Sequence, residues 1–500
     1  MKTKSNDLQI MEEPTLEFRY GQETHDPHDG LSLFGAYDAD HASHPSSISY
    51  GLVGTSAGIT AFGKWSRRIQ SSIHAESNPR LWPLFPGFEA AFTCVWPIHP
   101  ARSSEVDPGV LMAAVSDSDP YKRAYAVVDL YLDSISKMQK SDDRVDLIVC
   151  VVPDLVYQNC RPQSVVSSKV GYAIGAAVRR QRESGQLDIF DRYDPQIYNF
   201  SVDFRRQIKA RCMAYGIPIQ IVRESTLRLT SDSEPRERGL SPLSDRAWNL
   251  GVALYYKAGG KPWRLMSARE GVCYVGIAYR RKDPTSASRS ACCAAQMFLD
   301  SGDGIVFMGE YGPWYSPERN QFHLDPAAAS RLLAGALKTY RELEGKPLKE
   351  VFLHSRSGIG YQEFLGFRDA CPPGISLVGI RVRQTGALKL FREGEMPVVR
   401  GTFWQVQPRS GFLWASGFKP RLGTYDGSEI PLPLQIDIQH GAADLTIVAR
   451  DIFALTKLNY NACRLGEAEP VTIRYSDAVG EILVSNPKAR PQSPKFKFYI

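Results

Sequence analysis

Hydrophobic and polar positions follow two regimes along this chain. From Ser47, SISYGLVGTSAGITAFGKWSRRI predicts a buried strand, a glycine-rich turn and an amphipathic helix. PYKRAYAVVDLYLDSISKMQ has helical spacing and runs into the apolar strand VDLIVCVVPD. VDFRRQIKARCMAYG is a further helix, followed at once by the strand IPIQIV. Strands alternating with helices predict a parallel sheet covered on both faces. The stretch Ser231–Ser244 predicts a surface loop, and DRAWNLGVALYYKAGG a helix ended by paired glycines.

The second half opens differently. GVCYVGIAYRR and DGIVFMGEYGPWY predict strands, DPAAASRLLAGALKTYRELEG a helix and KEVFLHSRSG the next strand. ISLVGIRVR, GFLWASGF, PLQIDIQH and VTIRYSDAVG predict further strands, with DIFALTKLNYN helical. Strands that meander first and then alternate with helices suit a ribonuclease-H-like layout. The pattern alone implies an α/β fold of two domains with a boundary near residue 262. Residues 1–47 are rich in Asp, His, Pro and Gly around one apolar stretch, GLSLFGAYD, and are expected to pack on another domain.

Composition changes this picture little. The chain has 500 residues, 43% hydrophobic and 23% charged, with a formal charge of +6, as an ordinary globular protein has. That excess matters only where basic residues cluster. Nine cysteines occur without a CxxC pair, which argues against a structural zinc site. The first residues, MKTKSNDLQIMEEP, lack the apolar core of a signal peptide, and VDLIVCVV is too short to span a bilayer. A cytoplasmic protein is expected. Gly51, Gly54 and Gly58 do not fit the GxGxxG dinucleotide fingerprint, so GLVGTSAG is read as a turn feeding helix packing. That absence, with no obvious acid/base pair, argues against a Rossmann-like metabolic enzyme.

Several segments, in order, carry a resemblance. RRQIKARCMAYGIPIQ resembles the 5′-phosphate pocket of the MID domain of Argonautes. NLGVALYYKAGGKPWRL resembles the segment joining MID to PIWI, and LTKLNYNACRLGEAEPVTIRYSDAVGEIL the close of PIWI. Together they cover about residues 47–500, and the length implies the short prokaryotic class. The expected division is a segment at 1–47 packing on PIWI, a Rossmann-like MID domain at 48–262 and a ribonuclease-H-like PIWI domain at 263–500.

The chemistry of the residues agrees. Arg205 and Lys209 stand four apart and share a helix face. An isolated RxxxK is usually a solvated basic face. The ordered presence of Gln220, Asn249 and Lys257 turns the reading toward a phosphate seat, which needs convergent cations and donors. The resemblance implies that Arg205, Lys209, Gln220 and Lys257 hold a guide's 5′ phosphate. It also implies that the Ile500 carboxylate joins a Mg²⁺ ion there.

Slicing Argonautes hydrolyse the target with two metal ions held by carboxylates. At two of the ligand positions this chain has Ala278 and Ser357. Asp477 is a possible remnant, and the glutamate finger falls at Glu310 or is absent. A slicer-dead protein is expected, the alternative being an active nuclease with an unrecognised carboxylate set. Arg356, Arg381, Arg383, Lys457 and Arg474 are candidates for following a nucleic-acid backbone. The resemblance further implies an RNA guide, a single-stranded DNA target and a partner carrying an APAZ domain with a TIR, sirtuin-like or nuclease effector. Aromatic and apolar residues around GLSLFGAYD and FWQVQPRSGFLWASGF are candidates for the partner surface, although core is the commoner fate of such residues.

Overall fold

The computed structural model describes residues 8–75, 78–140, 144–166, 197–229, 240–267, 269–281, 291–298, 304–344, 347–427, 429–485 and 495–499. Of 292, 294–298, 304–311, 343, 344 and 483 only the backbone is described. Most of the expected Ser231–Ser244 loop lies outside these residues.

Four parallel strands form the first sheet, in the order Arg102–Glu105, Tyr50–Gly54, Leu147–Val152, Ile219–Arg223. Both central strands are fully buried, as continuous apolar runs in parallel sheets are. Helices Pro120–Gln139 and Phe204–Cys212 pack on one face; Ser56–Arg68 and Leu243–Ala258 pack on the other. The glycine-rich turn serves close packing, as expected. Thr55 caps the helix by accepting from Gly58 N, and a Cβ at Gly58 would come within 2.9 Å of Val151 Cγ1. Helix Leu243–Ala258 stops at Gly259, whose φ of 115° few side chains tolerate.

The second sheet has nine strands. Val272–Arg280, Ala291–Phe298 and Gly304–Gly312 form an antiparallel meander. Glu350–Ser355 then adds parallel to the first strand, and Ser376–Gln384 adds parallel to that. This is the ribonuclease-H order. Antiparallel strands Leu434–His440, Ser410–Trp414, Thr402–Gln407 and Gln9–Ile10 extend it. Helices Pro326–Glu344 and Tyr361–Ala370 cover one face; Leu445–Ala454 and Val471–Val484 cover the other.

One expectation fails here. VTIRYSDAVG lies not in a strand but in the helix Val471–Val484. Alternation of Val471, Ile473 and Tyr475 mimics a strand, yet the buried set continues to Val479 and Ile482, at helical spacing. The helix crosses the sheet so closely that a Cβ at Gly276 would stand 1.8 Å from Thr472 O.

The N-terminal segment ties both sheets together. Gln9–Ile10 pairs with Thr402–Phe403, and Leu16–Glu17 pairs with Glu23–Thr24 and Arg264–Leu265. Asp38 accepts from Tyr255 of helix Leu243–Ala258. Of the expected partner-surface residues, Leu31, Phe403, Leu413 and Trp414 are core. Leu33 is exposed, while Trp404 and Phe412 are half-buried. Among the described residues no helix is long and apolar enough to cross a membrane.

Candidate nucleic-acid interface

Asp203 caps the helix Phe204–Cys212 and so sets where its cations point. Arg205 is exposed on it, while Lys209 is only 4% exposed and donates through Nζ to Tyr499 O at 3.1 Å. Lys257, near the end of helix Leu243–Ala258, is fully buried. Its Nζ donates to Lys497 O at 3.4 Å, and Lys497 Nζ donates to Lys257 O at 3.1 Å. The short segment 495–499 therefore runs between the two lysines. Burial, then Arg205 and Lys257, hold the Lys209 ammonium well below its ordinary range. Burial, then Arg205 and Lys497, bring Lys257 down to about 7. The strongest charges acting on both lysines are thus other cations, an arrangement suited to receiving an anion.

Gln220 lies on the strand Ile219–Arg223. It is half-buried, donates to Ile221 O, and lines a cavity of about 320 Å³ with Asn249, Ala253, Arg246 and Asn461. Asn249, Ala253 and Lys257 follow one another at four-residue steps on one helix face, so Lys257 stands one turn from that cavity. Ile500 lies outside the described residues. Magnesium takes hard oxygen ligands, chiefly carboxylates. The side chains described around Lys209 and Lys257 are predominantly cationic and supply none of these ligands. The sequence pattern did not point to Lys497, whose only signal was the alternation in FKFYI.

The second cluster lies where the central strands of the large sheet end. Ile277 pairs with Ser355, which sets Ala278 beside the start of the Arg356–Ser357 turn. Ala278 is buried. Asp477 does not follow a strand, as expected, but projects from helix Val471–Val484. Its carboxylate accepts from Arg356 Nε at 2.6 Å and lies 3.1 Å from Arg280 Nη2. Arg356 also donates through both Nη atoms to Glu469, each at 2.7 Å. Glu481 continues the chain to Arg280 at 3.7 Å and Arg206 at 2.9 Å. Three arginines thus face three carboxylates. Among the described residues no group of three or more His, Cys, Asp or Glu could hold a metal. The Glu310 side chain lies outside the described residues.

The five candidate backbone cations do not form one surface. Lys457 is a correction: it is 2% exposed and ion-pairs with Glu13 at 2.6 Å. It also donates to His25 O and Leu465 O, so it anchors the N-terminal segment and is out of reach of a phosphate. Arg356 is engaged by Glu469 and Asp477, and Arg474 by Glu467. Arg381 and Arg383 sit side by side on one strand face, half-buried.

By sequence, the chain matches no protein-family model and no curated protein. Solved structures are more informative. A Clostridium butyricum Argonaute bound to a guide DNA and a 19-mer target DNA superposes with a TM-score of 0.65 at 13% identity over 99% of this chain. An A. aeolicus Argonaute, alone and with externally bound siRNA, superposes with a TM-score of 0.57 at 13% identity in both structures, over 97% and 98% of the chain. The fold is that of an Argonaute. The parallel sheet has the Rossmann-like layout of a MID unit and the nine-stranded sheet the ribonuclease-H-like layout of a PIWI unit. The chain spans 55% of the length of each of these Argonautes.

Proposed function

We propose that this chain holds a nucleic-acid guide by its 5′ phosphate and pairs it with a target strand without cutting that strand. The observation that carries this reading is the convergence of Lys209, Lys257 and Arg205 from two helices of an Argonaute fold. Burying two lysines among cations costs stability, and a phosphate supplies the charge that relieves it. Backbone contacts would recognise the shape of the paired strands, leaving sequence to base pairing. The similar Clostridium butyricum protein is a guide-and-target complex, which supports ligands of the same class here.

Loss of slicing rests on Ala278, Ser357 and the pairing of Asp477 and Glu469 with arginines. A carboxylate already neutralised by a guanidinium has little to offer a divalent ion. A protein that recognises without cutting needs a second protein to act. On resemblance to short prokaryotic Argonautes, the guide is RNA, the target single-stranded DNA, and the partner an APAZ protein in the cytoplasm. Its TIR or sirtuin-like effector would consume NAD when plasmid or phage DNA is found.

The test is to co-express the chain with the product of its neighbouring gene and load it with 5′-phosphorylated or 5′-hydroxyl guide. Complementary single-stranded DNA is then added with Mg²⁺ or Mn²⁺. The expected result is preference for the 5′-phosphorylated guide, an uncut target and falling NAD. Equal binding of both guides overturns the guide reading. Target product at a fixed distance from the guide's 5′ end overturns the loss of slicing, and NAD that survives overturns only the effector class.

A further inference from the structure

The extension of the large sheet presents one face to the core and leaves the other half-open. Ile380, Val382, Leu434, Ile436, Leu413 and Phe403 point into the core, where helix Leu445–Ala454 packs. Alternate positions of the same strands take the opposite face. There the register aligns Arg383 with Gln435, Gln435 with Phe412, and Phe412 with Trp404. A row of four side chains thus crosses four adjacent strands, about 14 Å at ordinary strand spacing. Arg383 donates to Gln435 Oε1 at 3.2 and 3.0 Å, and the rings of Phe412 and Trp404 lie 6.1 Å apart. All four are half-buried. The next row carries Arg381, Asp437 and Ser410, with Asp437 taken up by Ser410 and Gln435. Burial and Arg383 draw the Arg381 guanidinium below its ordinary range, with Asp437 acting the other way.

We propose that this face binds unpaired nucleotides of a single-stranded nucleic acid, with bases on Trp404 and Phe412 and phosphates on Arg381 and Arg383. Flat aromatic rings on an open sheet give a stacking surface that accepts any base, and adjacent guanidiniums suit a backbone. Protein interfaces also favour aromatic residues and arginine, so the anion decides the occupant. Here two of the four residues in the row are polar, and the arginine pair calls for an anion. Arg381 Nε lies 3.4 Å from Arg356 O, so the face is continuous with the end of the central strands. A strand leaving that centre would meet the arginines first and the rings next.

The site does not depend on the guide seat, so the probe is 5′-hydroxyl oligo(dT), which offers that seat no terminal phosphate. Binding to the full chain is read by anisotropy for the wild type, Trp404→Ala, Trp404→Phe, and Arg381→Gln with Arg383→Gln. Trp404→Ala is expected to weaken binding at least about fivefold, the low end for one stacked base. Trp404→Phe restores most of it. In the double arginine variant the slope of log affinity against log salt becomes shallower by about 0.7 for each phosphate that is no longer neutralised. Thermal melting of each variant should match that of the wild type, which reports that they fold. Oligo(dT) binding that ignores Trp404 and the arginines overturns the proposal. So does protection of this face by the co-expressed partner with no effect of oligo(dT), which would make it a protein interface.

Discussion

The proposed guide seat and the arginine cluster at the end of the large sheet's central strands are both basic, with opposite electrostatics. In the seat, Lys209 and Lys257 are buried and the charges acting most on them are cations. In the arginine cluster, Arg356 meets Glu469 and Asp477 within 2.7 Å, and its guanidinium is held above its ordinary range by hydrogen bonds to them despite partial burial. Among the described residues the first cluster gathers cations, while the second has its anions built in. A count of basic residues would score them alike. What separates them is whether cations or carboxylates act most on the basic group.

The sharpest way to break this contrast is to remove the lysines. Substituting Lys209→Ala with Lys257→Ala should weaken a 5′-phosphorylated guide by about a hundredfold or more. Each charge-assisted hydrogen bond contributes roughly 1.5–3 kcal/mol. A 5′-hydroxyl guide should lose far less, and titration of both guides by anisotropy checks it. Equal losses would mean that the lysines only support the fold.

A second effect, somewhat smaller, has opposite signs in the two clusters. Lys257→Met removes a charge that burial disfavours, and the guide-free protein should gain stability, on the order of 1–4 kcal/mol. Arg356→Met removes the counter-ion shared by Glu469 and Asp477, each 19% exposed, and leaves Asp477 with Arg280 alone. Partly buried pairs of this kind are worth about 1–3 kcal/mol, between the exposed and fully buried cases. Melting temperatures should therefore move up for the first and down for the second. Shifts of the same sign would erase the distinction.

How much of this could be read from the sequence depends on how local the cause is. The apolar run Leu147–Val152 and the helix feeding Ile219–Arg223 are set by neighbours in sequence, and both form as their patterns predict. The helix Val471–Val484 was hidden because its first turns alternate like a strand, and only the later Val479 and Ile482 break the tie. Arg205, Lys209 and Lys257 were legible through spacing and resemblance. Lys457 looked equally basic, but its fate is decided by Glu13, more than four hundred residues away in the chain. Arg280, Glu469 and Glu481 gave no local sign at all. Their role exists only once Asp477 and Arg356, 121 positions apart, are brought together.

The smallest effect expected centres on the seat, where Lys257 titrates near neutrality; buried Lys457, lowered to about 8, lies outside it. Lys257 falls from an ordinary 10.5 to about 7 on burial beside Arg205 and Lys497. Below pH 7 the folded and unfolded chains both keep its proton, and the cost of burying the charge is felt in full. Between about 7 and 10.5 the unfolded chain keeps the proton while the folded chain has released it. The unfolded state then binds more protons, so the guide-free protein should become more stable as pH rises through this window. A 5′ phosphate acts in the other direction. It favours the ammonium, so binding above pH 7 must take up a proton, and affinity should fall by up to about tenfold per pH unit. The phosphate itself loses its second proton near pH 6 and adds little to the slope. Lys209, also lowered, acts with the same sign. Guide titrations at pH 7, 8 and 9 should thus show a several-fold decline for the 5′-phosphorylated guide and a flat response for the 5′-hydroxyl guide. Lys257→Met should flatten the first. A decline common to both guides would place the titrating group outside the seat and leave the two clusters alike.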